Sequence, residues 1–210
     1  MNKNKTEALW ESFAETYKVP AEKVAQFKTY ATMLQEWNEK INLTALTELS
    51  DIVSYHFADA LALSHYMPLE KVHMLADVGT GAGIPALPLK IMYDDLAVVL
   101  IEVNHKRIAF LEEVVRALGL THVQIFDLDW RTFLRQTDLP IELFVARASL
   151  QPEELLRIYK PSSAYKEAQL VYWASQQWQP TPQLQPYVNR HVTYEVGSKK
   201  RQYVFFSNPA

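Results

Sequence analysis

Apolar residues recur every three or four positions in the first third of the chain. This spacing predicts two amphipathic helices, over residues 7–18 and 21–39. Their apolar stripes consist of Leu9, Trp10, Phe13 and Tyr17 in the first helix and of Val24, Phe27, Tyr30, Leu34 and Trp37 in the second. Because a helix buries its apolar stripe against a core, we expect these aromatic side chains to be interior residues and not a platform for stacking bases.

A loop over residues 42–46 precedes a third helical segment, for which Thr47 or Ser50 is the predicted N-terminal cap. Its inward-facing residues are Ile52, Val53, Phe57, Ala60, Leu61 and Leu63. His56 and Asp59 are three residues apart and therefore share a face of this helix. Two interpretations of the pair stay open: it lies at the mouth of a cofactor site, or it braces an N-terminal lobe against the main domain.

From residue 74 the pattern changes to short apolar runs that alternate with helical stripes. The predicted strands of this part cover residues 74–78, 97–101, 122–126, 141–146 and 169–173. A helix over 105–119, with Gly119 at its C-terminal cap, follows the second strand. Such alternation is typical of a parallel sheet with crossover helices. Two last strands, over 191–196 and 202–206, are joined by the segment GSKKR and should form an antiparallel hairpin.

We therefore expect an α/β protein with a Rossmann-like, mostly parallel sheet, a C-terminal antiparallel hairpin and a helical N-terminal lobe. The lobe covers residues 1–70, the sheet domain covers 71–210, and the two form one compact unit. A chain of 210 residues is long enough for one such domain with a sizeable core.

Three glycines at alternate positions, Gly79, Gly81 and Gly83, follow the first predicted strand and precede a helix. Glycine lets the main chain adopt positive φ and approach a ligand closely, and the free N–H groups at a helix start can receive an anionic group. The third glycine comes one residue earlier than in a dinucleotide fingerprint, so that Ile84 occupies the fingerprint position. With Asp77 before it, G-x-G-x-G is typical of S-adenosylmethionine-dependent methyltransferases, and Asp77 is expected near the donor's amino acid end. The alternative is a glycine-rich turn without a ligand.

Charged side chains follow several predicted strands, where ligands bind in a doubly wound sheet. Glu102 follows the second strand, and a carboxylate there can accept hydrogen bonds from two ribose hydroxyls. Asp127 or Asp129 could accept a hydrogen bond from an adenine amino group, with Trp130 packed on the ring, although Asp is equally common as a helix N-cap. Arg147 follows the fourth strand. It either points into the crevice, where a guanidinium suits a carboxylate, a phosphate or a guanine edge, or pairs with an acid at the surface.

Composition narrows the class of protein. Apolar residues make up 49% and charged residues 21% of the chain, which is ordinary for a globular protein. The absence of cysteine excludes disulfides, thiolate catalysis and cysteine-ligated metal, and the six histidines lack a metal-binding spacing, so we expect no metal. No apolar run is long enough to span a membrane, and the first ten residues lack the apolar segment of a signal peptide, so a cytoplasmic protein is expected.

Several motifs resemble one bacterial family. The matching segments are LQEWNEKINLTALTE, YHFADALAL, ADVGTGAGIPALPL, NHKRIAFLEEV, VARAS and KKRQYVFF. They are similar to the small-subunit ribosomal RNA guanine-N7 methyltransferases known as RsmG or GidB. The resemblance covers most of the chain, and the glycine segment with its two prolines and the segment WNEKINLTA are the most specific parts.

This resemblance implies both an activity and a set of site residues. Family members use S-adenosylmethionine to methylate a guanine N7 in 16S ribosomal RNA, so the expected partner is the small ribosomal subunit, and we expect a monomer. The resemblance implies donor contacts at Gly79 and Ile84 and, after the third strand, at Trp130 and Arg131. It also implies that Arg147 lies at the active site.

Contacts with RNA must come from a local patch, because the formal net charge is -3. The hairpin cations Lys199, Lys200 and Arg201 are the main candidates. Further candidates are Lys106, Arg107, Arg131 and Arg135.

The chain also departs from the family pattern. Arg131 stands where an acid is usual, Ala60 stands where Ser is usual, and Ser149 stands where Phe is usual. The fifth strand runs into VYWASQQW, over 171–178, where the family has a Lys-Gly element. These departures motivate an alternative function, a catalytically inactive methyltransferase-like protein that binds RNA or assists ribosome assembly. The positions of Gly83 and Ile84 argue against a nicotinamide-dependent oxidoreductase.

Overall fold

A seven-stranded sheet forms the centre of the computed structural model, which describes residues 3–209. The strands are β1 Met74–Val78, β2 Ala97–Ile101, β3 Val123–Phe126, β4 Leu143–Arg147, β5 Gln169–Ser175, β6 Val188–Val196 and β7 Lys199–Phe206. Their order across the sheet is β3-β2-β1-β4-β5-β7-β6. The first five strands are parallel, and β7 is antiparallel to both of its neighbours. The predicted Rossmann-like sheet with a C-terminal antiparallel hairpin is confirmed.

Helices cover both faces of this sheet. The longer ones are α1 Lys3–Tyr17, α2 Ala21–Ile41, α5 Ala86–Met92, α6 His105–Ala117 and α7 Trp130–Gln136, with the short α8 Pro152–Leu155. One continuous helical segment, here named the 49–65 helix, consists of α3 Leu49–Ile52, a π-helical turn over Val53–Ala58, α4 Asp59–Leu61 and a 3-10 turn over Ala62–His65. Both predicted N-terminal helices are confirmed and are slightly longer than their apolar stripes.

Some predicted boundaries are wrong, each for a local reason. The 49–65 helix begins after Glu48, with no side-chain hydrogen bond at the cap, so neither Thr47 nor Ser50 caps it. The C-terminal cap of α6 is Leu118, and Gly119 follows it with φ of +64°. β3 begins one residue later than predicted because His122 adopts φ of +55°.

The hairpin is tighter than the predicted GSKKR connection. Only Gly197 and Ser198 lie between the strands, and Lys199 to Arg201 are already paired within β7. Val196 pairs with Lys199, which makes this a two-residue loop, and Gly197 takes φ of +55°. Two-residue hairpin loops favour glycine because their backbone twist requires positive φ.

The helical lobe and the sheet share one hydrophobic core. Phe27 of α2 and Phe57 of the 49–65 helix are fully buried in the same cluster as Leu100 of β2 and Tyr203 of β7. A second cluster, around Phe144 of β4, fills the opposite face of the sheet. The division into units 1–70 and 71–210 stays a prediction, and residues 1, 2 and 210, at their outer ends, lie outside the described residues.

Candidate functional site

The sheet reverses its strand order at β1, which lies between β2 and β4, and ligands of open α/β sheets bind at such points beyond the carboxyl ends of the strands. Two cavities adjoin here and share Gly79, Arg107 and Ala148 as lining residues. The β2-side cavity, of about 280 Å³, is also lined by Glu102, Asp129, Trp130 and Ser149. The lobe-side cavity, of about 210 Å³, is also lined by Thr44, His56, Gly81, Ile84 and Arg147. Sequence reasoning had placed most of these residues at strand ends, and the structure brings them together.

The three glycines of the loop have different structural requirements. Gly79, Gly81 and Gly83 take φ of +64°, +61° and +83°. A Cβ atom on Gly79 would lie 2.7 Å from Cβ of Ser149, and one on Gly83 would lie 2.5 Å from Cδ1 of Leu87. A Cβ on Gly81 would meet nothing within 4 Å. The fold itself therefore requires two of these glycines, whereas Gly81 faces open space in the lobe-side cavity.

Asp77 braces the glycine loop from behind. Its Oδ2 accepts hydrogen bonds from the Thr80 hydroxyl at 2.7 Å and from the Ala86 main-chain N–H at 3.3 Å. Burial raises the pKa of Asp77 to about 7. The side chain does not line either cavity, so its contact with the donor's amino acid end stays a prediction. The N-terminal lobe supports the same loop, because the Tyr30 hydroxyl donates a hydrogen bond to the Ala82 carbonyl.

Glu102 lines the β2-side cavity and is held there by several hydrogen bonds. Its Oε2 accepts a hydrogen bond from the Gly81 main-chain N–H at 3.0 Å, and Nη1 of Arg107 lies 3.6 Å from the same oxygen. Its Oε1 accepts hydrogen bonds from the main-chain N–H groups of Val103 and Asn104, both at 3.0 Å. The carboxylate is therefore fixed in place beside the glycine loop, and each of its oxygens already has a protein partner.

The segment after β3 contributes one wall of the β2-side cavity. Asp129 caps α7, because its carboxylate accepts hydrogen bonds from the N–H groups of Arg131 and Thr132, at 2.9 Å and 3.1 Å. Hydrogen bonds from Thr132 lower the pKa of Asp129. Trp130 is buried, and its Nε1 donates a hydrogen bond to the Glu154 carbonyl at 2.9 Å. Asp129 is therefore the N-cap of α7, and it also lines the β2-side cavity.

Two of the predicted residues near this wall lie outside both cavities. The Arg131 guanidinium donates two hydrogen bonds to the Glu154 carboxylate, at 2.7 Å and 3.1 Å. Asp127 is exposed, with its Oδ2 lying 3.3 Å from Nδ1 of His105. Neither residue lines the cavities, although Arg131 directly follows Trp130.

Arg147 points into the crevice and is not a surface residue, since its side chain is only 12% exposed. Its Nη2 donates hydrogen bonds to the Tyr55 carbonyl at 2.7 Å and to Nδ1 of His56 at 3.2 Å. Its Nη1 lies 3.3 Å from Oδ2 of Asp59. The arginine therefore joins β4 to the 49–65 helix along one side of the lobe-side cavity.

For His56 and Asp59 the structure shows the bracing contact, and a place at the mouth of a cofactor site stays a prediction. His56 lines the lobe-side cavity, and its Nε2 lies 2.8 Å from Oγ1 of Thr44. Asp59 is fully buried, and it accepts hydrogen bonds from the Tyr194 hydroxyl on its Oδ1 at 2.6 Å and from the Tyr203 hydroxyl on its carbonyl at 2.8 Å. Asp59 therefore braces the lobe against β6 and β7, whereas His56 faces the site.

The three cations of the hairpin do not form one patch. Lys199 is exposed with its Nζ 3.9 Å from the centre of the Tyr55 ring. Lys200 points to the other side of β7, where its Nζ lies 3.5 Å from the Glu195 carboxylate. Arg201 turns inward, with its Nε 3.6 Å from Oδ1 of Asp59. Strand alternation separates side chains that are adjacent in the sequence.

A second group of cations lines a separate cavity of about 550 Å³ beside α7. Its charged lining residues are Arg131, Arg135, Arg157 and Lys160. Glu154 pairs with Arg131 and with Arg157, at 2.7 Å and 2.6 Å. Sequence reasoning found the first two of these cations and missed the other two, which come from a later turn of the chain.

Within residues 3–209 no group of three or more histidine or acidic side chains is arranged to hold a metal ion. In the same range no helix is both long and apolar enough to cross a membrane.

The strand order, the glycine loop after β1 and the crevice above it define a Rossmann-like fold of the class I methyltransferase type. Solved structures with this fold are similar to the chain. One is a S-adenosylmethionine-dependent methyltransferase from Aquifex aeolicus, with a TM-score of 0.52 and 20% identity over 74% of this chain and 93% of that chain. Another is a putative caffeoyl-CoA O-methyltransferase from Staphylococcus aureus, with a TM-score of 0.55 and 11% identity over 83% of this chain and 91% of that chain.

The chain belongs to the rRNA small subunit methyltransferase G family, also called GidB, whose sequence profile matches residues 23–195. The resemblance found in the sequence motifs is thereby confirmed. The protein named ribosomal RNA small subunit methyltransferase G from an Exiguobacterium species is 38% identical over 72% of this chain and 66% of its own length. The protein of the same name from Bacillus velezensis is 43% identical over 59% of this chain and 52% of its own length. The chain thus spans about half to two thirds of the length of these curated relatives.

Proposed function

We propose that this protein is a S-adenosylmethionine-dependent methyltransferase that transfers a methyl group to N7 of a guanine in the 16S ribosomal RNA of the small subunit. The observation that carries the proposal is the pair of cavities that meet across Gly79, in a chain that belongs to this family. One cavity offers room for a nucleoside and the other for a reacting group. The proposal includes a cytoplasmic location, action as a monomer, and no requirement for a metal.

The residues of the crevice fit the methyl donor. Gly81 leaves open space where a side chain would project, and the hydroxyl oxygen of Ser149 is buried without a hydrogen-bond partner on the wall of the β2-side cavity. Nη1 of Arg147 is also buried, and its contact with Oδ2 of Asp59 at 3.3 Å is an ion pair that lacks hydrogen-bond geometry. Buried polar groups of this kind call for a partner, which a polar ligand supplies.

Most of the predicted donor residues have a role in this arrangement. Glu102 would receive the ribose hydroxyls, and Trp130 would pack beside the base, with Asp129 near its amino group. Asp77 and Arg131 would act indirectly, the first by holding the loop and the second by fixing the start of α7 through Glu154. The remaining predicted donor residues line the cavities directly: Gly79, Gly81, Ile84 and Arg147. Gly83 would keep the loop closely packed on Leu87.

The chemistry needs alignment more than proton transfer. The donor supplies an electrophilic methyl group, and guanine N7 already has an in-plane lone pair, so no general base is required. Correct positioning of two reactants can supply roughly 7–11 kcal/mol of a reaction barrier. Arg147 is held by Tyr55, His56 and Asp59, and such a fixed guanidinium is suited to orient the target base or the donor's carboxylate.

The local charge beside the lobe-side cavity favours an anionic partner. Arg147 and Arg201 both face Asp59, whose carboxylate balances only one of them. Burial, together with the charge of Arg147, lowers the pKa of His56 to about 3, so the ring is neutral at physiological pH. Lys199 lies at the exposed edge of the same region, packed on Tyr55. We propose that Lys199 guides RNA toward this cavity by contacting phosphates and that Arg201 adds positive charge beside it. Lys200, on the other side of β7, would contact phosphates of the same RNA away from the cavity.

The experiment that tests the function has two stages. The purified protein is titrated with S-adenosylmethionine by calorimetry and is then incubated with labelled donor and unmodified small ribosomal subunits. Binding followed by label on a guanine N7 is the expected result, and Arg147→Ala should abolish transfer while thermal unfolding remains cooperative. Binding without transfer would favour the inactive RNA-binding alternative, and loss of donor binding altogether would refute the proposed site. Full turnover by Arg147→Ala would remove that residue from the mechanism.

A further inference from the structure

The hydrogen-bond arrangement around His56 fixes which of its nitrogens carries the proton. Arg147 has donors only, so Nδ1 of His56, at 3.2 Å from Nη2 of Arg147, must accept. The ring is neutral, because burial and the charge of Arg147 lower the pKa of His56 to about 3. The single ring proton is therefore on Nε2, which donates to Oγ1 of Thr44 at 2.8 Å.

Thr44 receives a second hydrogen bond on the same oxygen. The main-chain N–H of Leu46 donates to Oγ1 of Thr44 at 3.1 Å. A hydroxyl has two acceptor positions and one donor, so both acceptor positions of Thr44 are occupied. Its own proton must point in the one remaining direction. The main chain at this residue is held as well, because its N–H donates a hydrogen bond to Oδ1 of Asn38 at 2.8 Å.

Thr44 lines the lobe-side cavity together with Gly81 and Arg147. Its side chain is half-buried, and its hydroxyl is backed by a chain of donors that runs from Arg147 through His56. Consecutive hydrogen bonds of this kind polarise one another and strengthen the terminal donor. The cavity wall therefore carries a neutral hydrogen-bond donor whose orientation is set by the fold.

We propose that the hydroxyl of Thr44 donates a hydrogen bond to the O6 carbonyl of the target guanine and so selects guanine over adenine. This inference rests on the proposed function. On the edge of guanine that carries N7, the only other acceptor is O6, whereas adenine presents an amino donor at the same place. With an adenine in this cavity, its amino group and the Thr44 hydroxyl would face each other as two donors without an acceptor. A carboxylate is the less suitable partner for Thr44, because Arg107 and Arg147 line the same cavity and offer it charged donors.

The test compares Thr44→Val, which keeps the shape of the side chain and removes the hydroxyl, with Thr44→Ser, which keeps the hydroxyl. Each protein is assayed with small subunits assembled from RNA that carries either guanine or 2-aminopurine at the target position, since 2-aminopurine keeps N7 and lacks O6. Wild type and Thr44→Ser should prefer guanine by about ten- to a hundredfold in kcat/KM, the range expected when a buried acceptor gains or loses its partner. Thr44→Val should lose this preference, because its activity falls with guanine only.

A binding measurement supports the same comparison without turnover. Equilibrium binding of both RNAs is measured in the presence of S-adenosylhomocysteine, and only the proteins with a hydroxyl at residue 44 should favour guanine. Equal losses of Thr44→Val with both RNAs would overturn the inference, because they would indicate a structural effect of the unpaired His56 and Leu46 donors. Weaker donor binding by Thr44→Val in calorimetry would also overturn it, because it would make the donor's carboxylate the partner. Absence of wild-type transfer to any RNA would instead refute the proposed function.

Discussion

The open space above Gly81 gives a sharp test of where the ligand lies. Gly81→Ala places a methyl group in that space, where it meets no protein atom within 4 Å. The only cost in the free protein is the backbone conformation, since φ is +61° and a left-handed residue with a side chain costs about 1–2 kcal/mol. In a domain of this size, that cost lowers the unfolding temperature by about 2–8 °C.

Gly119→Ala is a matched control for this change. Gly119 has φ of +64°, and a Cβ atom there also meets nothing within 4 Å, but the residue follows α6 and does not line either cavity. The two variants should lose similar stability for the same physical reason. Only Gly81→Ala should lose affinity for S-adenosylhomocysteine, by at least about tenfold, because a methyl group that a rigid loop cannot move would occupy ligand space.

Gly83→Ala should behave differently from both. Its Cβ would lie 2.5 Å from Cδ1 of Leu87 and 2.9 Å from the Tyr30 hydroxyl, so an overpacking cost of about 1–3 kcal/mol adds to the backbone cost. Thermal unfolding and calorimetric titration on all three variants give the comparison. If Gly81→Ala binds S-adenosylhomocysteine as tightly as Gly119→Ala does, the space above Gly81 is not part of the donor site and the reasoning fails.

Two further predictions follow from the charges. The raised pKa of Asp77, about 7 instead of 3.8, means that the folded state holds this proton more tightly, so the free energy of unfolding should fall as pH rises from about 4 to 7. Asp77→Asn keeps an oxygen for its two donors and cannot titrate, so it should remove this fall, which amounts to up to about 4 kcal/mol in the wild type. Urea unfolding at both pH values measures the difference, and an unchanged dependence on pH in the variant would contradict the prediction. The double change Lys199→Glu with Lys200→Glu should weaken the salt dependence of RNA binding. The slope of log K against log salt concentration should become shallower by about 0.7–0.9 for each phosphate contact that is lost. If the slope becomes shallower with Arg135→Glu and Lys160→Glu instead, the RNA contacts lie at the cavity beside α7 and not at the hairpin.

Local patterns in the sequence were sufficient for most of the fold. The apolar runs of the parallel strands and the apolar stripe of α2 are strong signals of secondary structure, because apolar residues recur along each element with the period of that element. The glycine loop could also be predicted, since three glycines within five positions are typical of a main chain that needs positive φ, and few local structures have that requirement. Boundaries failed where one residue's conformation decided them, as at His122, or where the main chain capped a helix without a side chain, as at Glu48.

The candidate site was predictable only in part. Glu102 directly follows β2 and Arg147 is the last residue of β4, so their position in the crevice could be predicted from topology alone. Thr44 lies in the specific segment WNEKINLTA, but nothing in the sequence indicated its proposed role, because that role depends on His56, twelve residues away, and on Arg147, far along the chain. The side-by-side lysines of the hairpin suggested one patch, but the alternation of β7 divides them. Contacts that join distant segments are set by packing and cannot be found from spacing.

The π-helical turn over Val53–Ala58 makes the site depend on how many residues the helix contains. A π turn holds one residue more than an α turn, and each residue of a helix turns the chain by about 100°. The Tyr55 carbonyl, the His56 ring and the Asp59 carboxylate come from within this turn and directly after it, and all three contact the guanidinium of Arg147. A single-residue deletion inside this turn would therefore rotate one half of the helix against the other and separate these contacts, although it would leave every one of the contacting side chains in the protein.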